Sequence, residues 1–219
     1  KAESIPWFPP NKPRSEKRSA TLLPCDFSTV PARIGRIHIL GERIPVAGKP
    51  EMDRVGTAIH DVIAADLSQG LGPAPEAAAK ELFKRNGLDG NLDAGKILAR
   101  SEALCDWLRK EFQARQFLSE WPIQTLLETG QRVTGWVDLL VDTPEGWVLV
   151  DHKAFPGSKE EWPKSALEYS GQLWAYRRAV EKATGLPVLG QWIHFCVGGG
   201  VVEVIFFEPV GFLSGRIPV

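Results

Sequence analysis

Three consecutive segments with strand character constrain this chain more than any other feature. They span 117–128, 131–142 and 146–155, and only short turn signals at 129–130 and 143–146 separate them. Strands joined by such short turns pair with their neighbours in antiparallel fashion. The sequence therefore predicts a β-meander at the centre of the fold.

Helical periodicity precedes and follows this meander. Gly70 and Gly72 stop the first helical pattern, and Asp93 is placed to cap the third. We predict helices over 53–67, 74–87, 93–112 and 164–184, and further strands over 34–41, 189–197 and 201–207. This order indicates an α/β (α+β) domain in which helices flank a central mixed sheet and an N-terminal helical subregion comes first.

The composition excludes several classes of protein. Lys and Arg total 26 against 27 Asp and Glu, so any DNA contact must come from local basic patches rather than from the net charge of −1. The three cysteines form no CxxC pair, which argues against a disulfide framework or a zinc ribbon and favours a reducing cytoplasm. No apolar run approaches the roughly 18 residues that span a bilayer, so we expect no membrane partner.

Charged residues interrupt the apolar meander at two places. Asp138 lies inside the run GWVDLLVD and Asp151 ends the run WVLVD, although carboxylates are rarely buried unless they are paired or bound to a metal. Lys153 projects from the same side of its strand as Asp151, while His152 faces away. A hairpin with its turn at 143–146 allows the two aspartates and Lys153 to meet on one side of the sheet.

Such a group has the chemistry of a hydrolytic site for phosphodiesters. Paired carboxylates can hold Mg²⁺, and Lys153 can position or deprotonate a water, or neutralise charge on the phosphate. Asp-x-Lys alone is a weak pattern, because a solvent-facing Lys153 paired with Asp151 also explains it. A glycoside hydrolase with Asp138 and Asp151 as its carboxylate pair is another alternative, which the adjacent lysine disfavours.

Four further residues are candidates for the same site. Gln172 and Tyr176 share one face of the helix that follows the meander, where they can reach a phosphate or a water, although tyrosine also borders ordinary amphipathic helices. His60 lies on the apolar side of the first helix, where a lone histidine is more often a core residue than a ligand. Glu120 is either an acidic residue at the site or a polar residue on an alternating strand.

Taken together, the motifs resemble those of a known family. GTAIH, SEWP, GWVDLLV, VLVDHKAF and YSGQLWAYRRAV, in this order over about 53–185, are similar to the RecB-type nucleases of the PD-(D/E)xK superfamily, and among them to AddA-type helicase–nucleases. The resemblance implies a restriction-endonuclease-like core. It also implies that His60, Asp138 and Asp151 bind metal, that Lys153 is catalytic, that Gln172 and Tyr176 belong to the active site, and that Glu120 is an acidic neighbour.

The resemblance further implies a cofactor and partners. We expect Mg²⁺, for which Mn²⁺ can substitute, and no iron–sulfur cluster, because the four cysteines that hold one in some relatives are missing. We expect DNA as the substrate, an exonuclease activity in double-strand-break repair, helicase domains on the same polypeptide, and a second, AddB-like subunit. Residues 1–30 would be the linker from the helicase and 31–219 the nuclease domain, in the bacterial cytoplasm at the nucleoid. A catalytically inactive module of the same fold is the alternative, and the complete set of site residues argues against it.

Overall fold

The computed structural model describes residues 20–68, 70–127 and 129–207 and has a mixed seven-stranded sheet at its centre. The strands are β1 (Thr21–Leu22), β2 (Ala32–Ile39), β3 (Gln116–Leu126), β4 (Arg132–Asp142), β5 (Trp147–Lys153), β6 (Val188–Phe195) and β7 (Gly200–Phe206). The helices are α1 (Met52–Ser68), α2 (Pro75–Arg85), α3 (Ala94–Phe112), α4 (Trp162–Glu168) and α5 (Ser170–Thr184), and a 3-10 turn covers Pro24–Asp26. The α/β class expected from the sequence is confirmed.

The meander forms one half of the sheet. The strand order is β1-β4-β5-β6-β7-β2. The seventh strand, β3, lies outside this order and pairs with β4. β3–β4 and β4–β5 are antiparallel, as the short turns predict, whereas β5 and β6 are parallel. A parallel connection needs a long crossover, and α4 with α5 provides it.

Helices cover both faces of the sheet. Leu108 of α3 belongs to a buried cluster with Val150, whereas Val180 of α5 belongs to a cluster with Leu149. Neighbouring residues of a strand point to opposite faces, so α3 and α5 lie on opposite sides of β5, and α1 and α2 extend the α3 layer. In the described part of the chain, no helix is both long enough and apolar enough to cross a membrane.

The single helix predicted over 164–184 is wrong in one respect, because the chain forms two helices there. Tyr169 ends α4 and precedes α5 with φ −94° and ψ 7°. At this break Ser170 Oγ accepts a hydrogen bond from Val30 N at 3.0 Å, and Gly171 packs so closely on the backbone of Ser28 that a side chain would collide with it. Helical periodicity contains no information about such a long-range contact.

Residues 20–30 pack on the domain, although the linker predicted over 1–30 includes them. Thr21 and Leu22 pair in parallel with the first residues of β4, and Leu22 and Phe27 are buried. A two-residue strand is too short to give a periodic signal in the sequence, so the polar, proline-rich composition dominated the prediction. Residues 1–19 lie outside the described part of the chain.

Candidate active site

β4 and β5 separate at the two aspartates. Their described pairs run from Asp142–Trp147 to Leu139–Val150. At the next position Asp138 Oδ2 accepts a hydrogen bond from the backbone N–H of His152 at 2.7 Å. A side-chain carboxylate thus replaces a backbone acceptor, and the sheet opens beside Asp151.

Asp151 is held between a cation on its own strand and an amide on α5. Its side chain is 2 % exposed, Oδ2 lies 2.7 Å from Lys153 Nζ, and Oδ1 accepts a hydrogen bond from Gln172 Nε2 at 3.0 Å. Gln172 Nε2 also donates to Tyr176 Oη at 3.0 Å, and Lys153 Nζ donates to Gln172 Oε1 at 3.4 Å. Gln172 and Tyr176 share one face of α5, as predicted, and Gln172 fixes the carboxylate and the ammonium relative to each other.

Lys153 also contacts an aromatic ring. Its Nζ lies 4.5 Å from the ring centroid of Tyr169, within cation–π range. Burial lowers the pKa of Lys153, but the charges of Asp151 and Asp138 outweigh burial and leave the pKa above its ordinary value. Lys153 therefore carries its positive charge at neutral pH.

A second group of ligand atoms lies toward α1. His60 Nε2 donates to the carbonyl oxygen of His152 at 2.9 Å and lies 3.6 Å from Asp138 Oδ2. Glu120 joins them, since the ligand atoms of His60, Glu120 and Asp138 all lie within 4.8 Å of one another. Three elements, α1, β3 and β4, thus bring one ligand each to the same point.

The strands are irregular where Asp138 and Glu120 face each other. A Cβ added at Gly135 would lie 3.9 Å from Tyr176 on α5, and Val137 belongs to the cluster of Tyr176, whereas Leu139 belongs to the cluster of α3. Because residues two apart normally share a face, the alternation breaks at Asp138. Opposite this break Glu120 has φ +50°, in the left-handed region that non-glycine residues rarely adopt. Irregular strand pairs of this kind re-aim side chains, often at functional sites.

The donor set fits a divalent cation. Burial, together with the charge of Asp151, raises the pKa of Asp138, and burial raises the pKa of Glu120. Asp151 Oδ2 is buried and lies 2.7 Å from Lys153 Nζ. The carboxylates of Asp138 and Asp151 therefore act on one lysine, and Glu120 adds a third carboxylate beside His60. Oxygen donors are those that Mg²⁺ prefers, and the imidazole of His60 also suits Mn²⁺.

The other face of β5 carries a different buried cluster, formed by His152, His194 and Cys196. The two histidines meet through Nδ1 at 3.0 Å, and Cys196 Sγ lies 3.5 Å from His194 Nδ1. Burial lowers the pKa of His152 far below its ordinary value and that of His194 to about 3, so both rings are neutral. The buried guanidinium of Arg100 acts on His194 and Cys196, which makes the cluster unfavourable for a metal cation.

The structure brings together all seven residues singled out from the sequence, namely His60, Glu120, Asp138, Asp151, Lys153, Gln172 and Tyr176. It differs from the expected metal set in its grouping. The tightest triad is His60, Glu120 and Asp138, whereas Asp151 turns toward Lys153 and Gln172. The sequence analysis assigned no role to Tyr169, and it missed the cluster of His152, His194 and Cys196.

Comparison with known proteins agrees with this geometry. The family model of the PD-(D/E)XK nuclease superfamily matches residues 21–205. An ATP-dependent helicase/nuclease subunit of Desulforamulus reducens is 26 % identical over 187 residues, which cover 82 % of this chain and 14 % of that protein. The protein of the same name from Levilactobacillus brevis is 25 % identical over 182 residues, or 76 % of this chain and 13 % of that protein. The chain thus spans about one seventh of the length of these relatives. Because the family match covers most of the chain, the chain belongs to the PD-(D/E)XK nuclease superfamily.

Proposed function

We propose that this domain is a Mg²⁺-dependent deoxyribonuclease that hydrolyses phosphodiester bonds. One observation carries the proposal: the buried carboxylates of Asp138 and Asp151 lie beside one charged lysine, Lys153, and Asp138 shares a triad of ligand atoms with His60 and Glu120. Neighbouring buried carboxylates are unfavourable unless cations compensate their charge.

His60, Asp138 and Asp151 would hold the metal, with Glu120 beside them. A divalent cation bound there would lower the pKa of a bound water and offset negative charge on the phosphate. These residues converge from α1, β4 and β5, so their relative positions depend on the packing of the helix against the opened end of the sheet. A site on such rigid elements holds its ligands in place before the substrate arrives.

Lys153 would act on the phosphate as a cation. Its pKa is raised, so its Nζ stays protonated and can neutralise the charge that develops as a water oxygen bonds to phosphorus and the ester oxygen departs with a proton. Gln172 keeps Nζ and the carboxylate of Asp151 aligned, and Tyr176 Oη accepts from the same amide. Tyr176 would thus serve mainly to fix the orientation of Gln172.

The two relatives support a finer proposal. Both are ATP-dependent helicase/nuclease subunits by name, and this chain matches only a small part of each. We therefore propose that the domain is the exonuclease module of a bacterial helicase–nuclease in double-strand-break repair and recombination. It would act on DNA delivered by helicase domains of the same polypeptide, with residues 1–30 leading from them, in the cytoplasm at the nucleoid. A second, AddB-like subunit would complete the enzyme, and this domain would hold no iron–sulfur cluster.

Cleavage of labelled single-stranded DNA under single-turnover conditions tests the activity. We expect the 219-residue chain to cleave with Mg²⁺ or Mn²⁺ and not with EDTA, and the Asp151→Asn variant to be inactive while its circular dichroism spectrum shows that it is folded. A circular single strand separates exonuclease from endonuclease activity, because it has no end to attack.

Two outcomes would contradict the proposal. One is full metal-dependent cleavage by a folded Asp151→Asn protein. The other is the lack of any cleavage at enzyme excess together with no calorimetric binding of Mn²⁺ or Mg²⁺, which would favour the catalytically inactive module that binds DNA or mediates assembly.

A further inference from the structure

One face of the outer β3–β4 hairpin is open beside the candidate active site. Along β4 the exposed or half-buried Arg132, Thr134 and Trp136 alternate with the buried Val133 and Val137. Because alternate strand residues share a face, these three side chains lie on the side opposite α5. The indole of Trp136 is the most exposed tryptophan among the described residues, at 58 %.

This open face is continuous with the metal-ligand triad. α1 crosses the sheet at the level of Asp138, since His60 contacts Asp138 and Ser119 of β3 donates to Ala64 O at 3.3 Å. Beyond that crossing the hairpin extends without a helix over this face, as the exposure of Pro122 and Trp136 shows for the described residues. Trp136 is two residues from Asp138, and Arg132 is about 20 Å from Asp138 along the strand at ordinary strand rise.

The charge of this face suits a polyanion. Arg132 is exposed at its far end. The face between Arg132 and the ligand triad consists of Pro122, Gln124, Thr134 and Trp136, none of which is acidic. This stretch therefore carries a positive charge, whereas the chain as a whole has a net charge of −1.

An exposed indole in line with an exposed cation is a combination that binds single-stranded nucleic acid. Bases stack on aromatic rings irrespective of sequence, while lysine and arginine follow the phosphates. In a duplex the base faces are already stacked on one another, so the ring finds no partner there. We propose that Trp136 stacks on a base of single-stranded DNA and, with Arg132, guides the strand toward Asp138. This inference rests on the nuclease function proposed above and specifies its substrate as an unpaired strand.

Binding of fluorescently labelled oligo(dT) in EDTA tests the inference without any cleavage. We expect Trp136→Ala to weaken binding roughly tenfold and Trp136→Phe to retain most of it, as stacking requires. Trp121→Ala is the matched control, because Trp121 is also exposed in the same hairpin but pairs with Val137 on the other face. We expect it to change binding less than about twofold. A duplex of the same length should bind more weakly than oligo(dT) and be insensitive to Trp136→Ala.

The outcomes separate this inference from the proposed function. Equal oligo(dT) affinity of Trp136→Ala and the unmodified chain, at matching melting temperatures, overturns the role of Trp136 even if cleavage is intact. The lack of measurable oligo(dT) binding by the unmodified chain also overturns the role of Trp136, and would favour another protein domain as the partner of this face. Binding that depends on Trp136 in a chain that fails to cleave supports the inference and contradicts the nuclease proposal.

Discussion

The two faces of β5 differ, near its last residues, in the kind of side chains that they bury. On one face the buried Asp151 forms an ion pair with Lys153 at 2.7 Å, and Asp138 lies beside them. On the other face His152 and His194 are buried as neutral rings that bond to each other. Residues adjacent in sequence therefore lie in opposite electrostatic environments.

The difference separates function from stability. A group of buried carboxylates destabilises the metal-free fold, and in our proposal a bound cation offsets this cost. The neutral histidines carry no charge that a cation must compensate, and their replacement should alter the stability of the domain rather than its chemistry. Each prediction below acts on one face and spares the other.

Lys153→Met should have the largest effect on cleavage, slowing it roughly a thousandfold, because the cation beside the phosphate is lost while the side-chain volume is kept. His194→Leu on the other face should change the rate less than about threefold. Single-turnover cleavage of labelled DNA measures both. Similar losses in the two variants would show that the faces are not distinct.

Asp138→Asn should stabilise the metal-free domain at pH 8, by about 2 °C or more in melting temperature. Burial raises the pKa of Asp138, so at pH 8 the folded state holds its charge at a cost, whereas asparagine can still accept the N–H of His152. Mg²⁺ should raise the melting temperature of the unmodified chain and not that of the variant. A destabilised variant in EDTA, or an equal response to Mg²⁺, would oppose a metal site at Asp138.

The two faces should contribute to the pH dependence of stability with opposite signs. The pKa of His194 is lowered to about 3, so between about 6.5 and 3 the unfolded chain binds a proton that the folded chain does not, and stability falls as the pH falls. Asp138 has the opposite effect. Because its pKa is raised in the folded state, the stability of the metal-free domain falls as the pH rises above the ordinary pKa of an aspartate. Urea unfolding of His194→Leu should show a shallower acid loss than that of the unmodified chain. An unchanged acid slope would mean that His194 titrates normally.

Tyr169→Leu should give the smallest effect, a loss of roughly two- to fivefold in kcat, because a cation–π contact to Lys153 contributes only about 0.5–1 kcal/mol. Tyr169→Phe keeps the ring and should restore the rate. A loss in both variants would instead point to the tyrosine hydroxyl.

Much of the contrast between the two faces follows from local rules. The apolar runs around Asp138 and Asp151 and the short turn at 143–146 predict the hairpin, and the period of two places Asp151 and Lys153 together with His152 opposite. The spacing of Gln172 and Tyr176 likewise predicts their shared face.

Other features depend on long-range packing. Glu120 joins His60 because its backbone adopts φ +50° in an irregular strand pair, which no residue spacing encodes. Tyr169 reaches Lys153 from the break between α4 and α5, where α5 packs on the N-terminal segment. His194 meets His152 through the parallel register of β5 and β6, which is set by a crossover of two helices.

Anomalous diffraction from crystals soaked in Mn²⁺ distinguishes the two faces in a single experiment, because both offer clustered ligands. We expect a Mn²⁺ peak on the carboxylate face, bordered by Asp138 and Asp151 with His60 nearby. A peak at His152, His194 and Cys196 instead, or none at a saturating Mn²⁺ concentration, would contradict a metal-dependent nuclease site at the opened end of β4 and β5.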